Sequence, residues 1–138
     1  MRPPAAFTIL VLAAPPLAAQ TCNIDLAAVE ARIAELDPAY GFVLSDISCD
    51  APSVPGHVLM CETAEQPLDL LWRMGRLDDL AWSYAVENRT GQEVDLANPP
   101  LDKDFVAARD ACTDAACLCG LLTEHTNDSL GGTSPYPQ

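Results

Sequence analysis

The sequence predicts an all-α fold, a small disulfide-stapled bundle of three to four helices. Two observations carry that prediction. Apolar residues recur at three- and four-residue steps in segments separated by breaker-rich stretches. The chain of 138 residues also holds six cysteines, an even number that in an exported protein reads as a disulfide framework.

The first element is a leader. Arg2 precedes the apolar run Phe7-Thr8-Ile9-Leu10-Val11-Leu12-Ala13-Ala14, and Pro15-Pro16-Leu17-Ala18-Ala19-Gln20 follows. A positive end, a short apolar core and small residues are the parts of a secretory signal peptide, so residues 1–19 are expected to be removed after Ala19. The core is far shorter than the ~20 apolar residues of a membrane-spanning helix, and nothing later supplies one, so no membrane insertion is expected. Gln20 and Thr21 before Cys22 fit a lipid-anchor signal badly. Residues 20–130 are then expected to form one helical domain, a size that supports a modest core.

Within that domain, Leu26, Val29, Ile33 and Leu36 mark one face of a first helix, capped by Asp25 and ended by Asp37-Pro38. Asp50-Ala51-Pro52-Ser53-Val54-Pro55-Gly56-His57 reads as a loop between Cys49 and Cys61. The longest periodic segment runs from about Pro67, suited to a first helical turn, to Glu87. Its stripe is Leu70, Met74, Leu77, Ala81 and Tyr84, widened by Leu71 and Leu80, and Trp72 and Trp82 flank it. A loop ending in Asn98-Pro99-Pro100 follows. A third helix opens near Asp102, with Phe105, Val106, Ala108 and Cys112 inward. Thr113 and Asp114 cap a short fourth helix from Ala115 to about Thr123, and residues 131–138 read as a disordered tail.

Charge narrows the function. The formal net charge is −13. All twenty acids follow the leader and one of the seven basic residues, Arg2, lies in it, so the processed chain would carry −14. Such a surface repels nucleic acid and attracts cationic partners at long range.

The remaining chemical motifs favour plain readings. Cys112, Cys117, Cys119 and His125 match no common zinc spacing, and export would oxidise the thiols, so neither a metal nor another cofactor is expected. A redox role wants Cys-x-x-Cys, whereas the chain offers Cys117-Leu118-Cys119. His57 and His125 lack a nucleophile motif and read as lone surface histidines. Asp78 with Asp79, and Asp102 with Asp104, read as chance pairs on a solvated or docking face rather than glycosidase acids. The chain is therefore expected to bind rather than to catalyse. The loop carboxylates Asp50, Glu93, Asp95, Asp102 and Asp104 are the candidate contacts, because loops on a stapled scaffold commonly carry binding.

Cys49, Cys61, the segment Leu77-Asp78-Asp79-Leu80-Ala81-Trp82-Ser83-Tyr84 and the run Arg109-Asp110-Ala111-Cys112-Thr113-Asp114-Ala115-Ala116-Cys117-Leu118 together resemble the LprI-like lysozyme inhibitor family of small bacterial envelope proteins. The closing run is the most specific part. The chain departs from the family in carrying Asp102 and Phe105 before that run, where members have Gln and Trp, and Cys119, Leu122 and His125 after it. The resemblance implies a periplasmic or secreted bacterial protein that inhibits a basic lysozyme or engages another cationic envelope protein. The rival reading is a non-catalytic envelope structural or homeostasis protein with no enzyme target.

Six cysteines allow fifteen pairings. The family pattern suits Cys49 with Cys61 around the Pro-rich loop and Cys112 with Cys117 across a helical hairpin. Cys22 and Cys119 would be left as this chain's own addition. Each bridge would contribute on the order of 2–4 kcal/mol.

Overall fold

The computed structural model describes residues 3–5, 22–64 and 70–138. The expected leader, apart from residues 3–5, and Pro67 lie outside the described residues. Those described form five helices, α1 (Leu26–Tyr40), α2 (Pro55–Ala64), α3 (Leu70–Thr90), α4 (Lys103–Ala111) and α5 (Ala115–Leu130), followed by a 3₁₀ turn at Gly131–Thr133. The protein is all-α and stapled by Cys22–Cys119, Cys49–Cys61 and Cys112–Cys117. Such bridges persist in an oxidising, extracytoplasmic environment. No described helix is long and apolar enough to cross a membrane.

α3 is the central element, packed on α1, α2 and α5, while α4 bridges α2 and α5. Its stripe explains that position. Leu70, Leu71, Met74, Leu77, Leu80 and Ala81 are buried, with Tyr84 packed at the margin and both tryptophans partly covered. Val29, Leu36 and Tyr40 of α1 close one side of the core, and Leu118 and Leu122 of α5 close another. The helix starts follow local chemistry. Asp25, Asp102 and Asp114 each accept hydrogen bonds from N–H groups of the first turn that have no partner within the helix. After α3 and α5, Gly91 and Gly131 take positive φ, +68° and +57°, which an L side chain resists.

Four expectations need correction. α1 runs through Pro38 to Tyr40 instead of ending before it. Proline lacks only its own N–H, and the last turn is held by the Gly41 N–H donating to the Asp37 carbonyl and by the buried Tyr40, whose ring meets Tyr84 edge-on. The loop expected through His57 stops at Val54, because Pro55 opens α2 at the one helical turn where proline costs little. Ala108 is exposed on α4, and Arg109 is the buried residue. Finally, α5 extends to Leu130 and the tail is docked. Tyr136 is 3% exposed, Arg32 donates to the Thr133 carbonyl, and Asn127 donates to that of Pro137.

Candidate functional site

Two polar clusters tie the helices together, one joining α3, α4 and α5 and the other joining α4 to α2 and the α1–α2 connection. The first is built on His125 of α5. Its Nδ1 is 2.8 Å from Asp78 Oδ1 on α3, and its Nε2 is 3.0 Å from Asp102 Oδ2 at the start of α4. The Thr126 hydroxyl donates to the same Asp78 oxygen at 3.0 Å. Phe105 stacks on the imidazole with centroids 3.7 Å apart and planes 3° from parallel, and Trp82 lies 5.0 Å away at a tilt.

Both ring nitrogens lie within hydrogen-bond distance of carboxylate oxygens, an arrangement that suits an imidazolium donating through both, although burial pushes the Asp78 carboxyl up against the pull of His125 and Thr126. Burial alone would lower the His125 pKa. The hydrogen bonds and charges of Asp78 and Asp102 outweigh burial and raise it above 6.5. The aromatic faces around the ring favour the same charged form. Burial likewise works to raise Asp102, but the Phe105 N–H and His125 overcome it and hold that carboxyl below its usual range. With neither nitrogen presenting a lone pair, this histidine is arranged as a cross-link between three helices.

The second cluster is built on Arg109 of α4. Its guanidinium grips Asp46 through Nη1 at 3.1 Å and Nη2 at 2.6 Å, a two-pronged pairing that fixes the plane of the group. Nε donates to Asp110 at 3.0 Å, and the same Asp110 oxygen lies 3.0 Å from His57 Nε2 on α2. Asp46 tends upward through burial, yet Arg109 draws its pKa below the ordinary value. Arg109 therefore ties α4 to the α1–α2 connection, three residues before Cys112 ties the end of α4 to α5.

Between these clusters lies a cleft of about 20 Å³. Asp79, Ser83, Leu44, Pro100 and Leu101 are among the residues that line it. Ser83 is 1% exposed, and its Oγ, like Trp82 Nε1, finds no hydrogen-bond partner among the described residues. Burial, then the charges of Asp78 and Asp46, push the Asp79 carboxyl up to about 7. Arg76, its nearest neighbour in sequence among the cations, spends its guanidinium on the carbonyls of Val43 and Gly41.

Leu44 and Leu101, which line the cleft, are 59% and 48% exposed, and Phe42, two positions before Leu44, is 85% exposed. Val43 turns into the core while its two neighbours turn out. The Leu44 N–H donates to the Leu96 carbonyl at 3.1 Å, joining the α1–α2 connection to the α3–α4 loop.

The five candidate carboxylates fare differently. Glu93 and Asp95 are exposed on the α3–α4 loop, Asp104 is exposed in the first turn of α4, and Asp50 is exposed on the separate loop before α2. Asp95 also accepts from the Ala97 N–H. Asp102 is partly buried, with one oxygen capping α4 and the other meeting His125. The two histidines are not lone surface residues, and Asp78 is buried rather than solvated. A pairing 47 positions apart leaves no trace in a local pattern. Cys112, Cys117 and Cys119 are all in disulfides, and among the described residues no group of three or more His, Cys, Asp or Glu is placed to hold a metal ion. No family model, curated protein or solved structure matches the chain.

Proposed function

We propose that this protein acts by binding a cationic protein partner, and that the partner is a basic lysozyme. The observation that carries the binding reading is the set of exposed apolar side chains Phe42, Leu44 and Leu101 together with the exposed carboxylates Glu93, Asp95 and Asp104. Large exposed side chains bordered by charge are the usual composition of a docking surface, apolar at its centre and polar at its rim.

The balance of charge supports the sign of the partner. Arg32, Arg73 and Arg109 are paired with Glu35, Glu30 and Asp46, Arg76 is turned onto backbone carbonyls, and Arg89 lies over the Trp82 ring. With these arginines engaged within the molecule, a chain of net charge −13 presents a mostly negative field. The choice of lysozyme rests on the resemblance carried by Arg109 through Leu118, and export to the periplasm or beyond would bring the two proteins together. Binding rather than turnover fits His125, both of whose nitrogens are engaged by carboxylates.

The test is inhibition of several basic lysozymes by the oxidised protein at low and high salt. Inhibition that weakens with salt and disappears on reduction is the expected result. No inhibition at micromolar protein would remove lysozyme as the partner.

A further inference from the structure

We propose that the cleft between α3 and the two neighbouring loops is a subsite for a primary ammonium group, the head of a lysine side chain projecting from the partner. The proposal rests on reading this face as a docking surface, and it specifies the chemistry at the centre of that surface.

Four observations converge on it. Asp79 is half-buried in the cleft wall, and the nearby guanidinium groups of Arg76 and Arg109 are committed to Val43, Gly41, Asp46 and Asp110. A carboxylate in that position lacks a close cationic partner among the described residues. Ser83 stands one helical turn further along α3, on the same face, with a buried hydroxyl that can accept a hydrogen bond and has no partner among the described residues. The space, about 20 Å³, admits roughly one water-sized group. An ammonium is that size and a planar guanidinium is not. The outer end is bordered by Leu44, Pro100 and Leu101, and an aliphatic lysine stem packs well along such a wall while its charge reaches inward.

The experiment titrates the oxidised full chain with n-butylammonium chloride at constant ionic strength and at a pH about one unit above 7, where the Asp79 carboxyl is ionised and the ammonium still charged, following the indole N–H resonance of Trp82, which lines the same cleft. Tetramethylammonium, too large for the space, and n-butylguanidinium are the controls. The expected result is a saturable shift with a dissociation constant on the order of millimolar. Both controls should bind at least about tenfold more weakly. Asp79→Asn should weaken n-butylammonium at least about tenfold and Ser83→Ala several-fold, while Asp128→Asn, at an exposed position of α5 outside the cleft lining, leaves it unchanged. Equal responses to all three cations, retained binding in Asp79→Asn, or no saturable shift up to about 100 mM would overturn the proposal. In the last case the cleft holds an internal water only. The probe is added to the protein alone, so a negative result leaves lysozyme inhibition to be judged by its own assay, and the converse also holds.

Discussion

A charged imidazole held by two carboxylates and an aromatic face is a cross-link with a large cost of removal. His125→Ala would leave Asp78, 4% exposed, with Thr126 as its remaining side-chain donor among the described residues. Breaking a buried pair from one side costs about 3–5 kcal/mol, so the urea midpoint of this variant should drop by that equivalent. A loss below about 1 kcal/mol would mean that the pair is no better than a surface contact. The residue was not legible beforehand for a physical reason. His125 lies on the buried side of α5 together with Leu118 and Leu122, in the turns beyond the expected end at about Thr123, and its partner arrives from α3 by tertiary packing alone. Arg109 was visible as part of a motif, and the motif did not say that its side chain points inward to Asp46.

Among the elements, α2 was hidden by the residues that build it. Pro55 and Gly56 read as breakers, yet the proline begins the helix and the glycine lets it approach α4. A Cβ at Gly56 would meet the Arg109 carbonyl oxygen and lie 2.9 Å from Asp110 Cα. These are backbone atoms that cannot swing aside as a side chain would. Gly56→Ala should therefore destabilise the protein by about 1–3 kcal/mol, measurable as a lowered thermal midpoint, even though alanine is the better helix former. An unchanged or raised midpoint would show that α2 and α4 can part without cost. The other elements were readable where the signal is local. The caps Asp25, Asp102 and Asp114 and the α3 stripe stand where the spacing put them, and the docked tail was missed because its anchor is a single aromatic, Tyr136, among turn-forming residues.

For the whole molecule, the buried titratable groups set the pH at which it is most stable. Asp79 titrates at about 7 in the fold against an ordinary 3.8. Between those values the unfolded chain has released the proton that the folded chain keeps, so stability is lost as pH rises across that window. His125, raised above 6.5, acts in the same direction from that pH upward. Asp46 and Asp102, held below 3.8, contribute stability that is lost as pH falls through the acid range. The urea midpoint should therefore peak in mildly acidic solution and decline toward pH 8, and Asp79→Asn should flatten the decline between about pH 4 and 7. A midpoint that rises from pH 5 to 8 would contradict this assignment of charges.

The distribution of charge, with Arg32, Arg73, Arg76 and Arg109 engaged by partners within the molecule and Glu93, Asp95 and Asp104 exposed, together with exposed Leu44 and Leu101, underlies the binding reading. Its most direct test measures the affinity of the oxidised protein for a basic lysozyme beside a Leu44→Ser, Leu101→Ser double variant, at low and at high salt. Substituting two exposed side chains should leave the fold intact. The prediction is that the double variant binds at least about tenfold more weakly at either salt concentration while retaining the salt sensitivity of the parent. Equal affinity of the two proteins, or no complex from either, would contradict the claim that this face docks a cationic lysozyme.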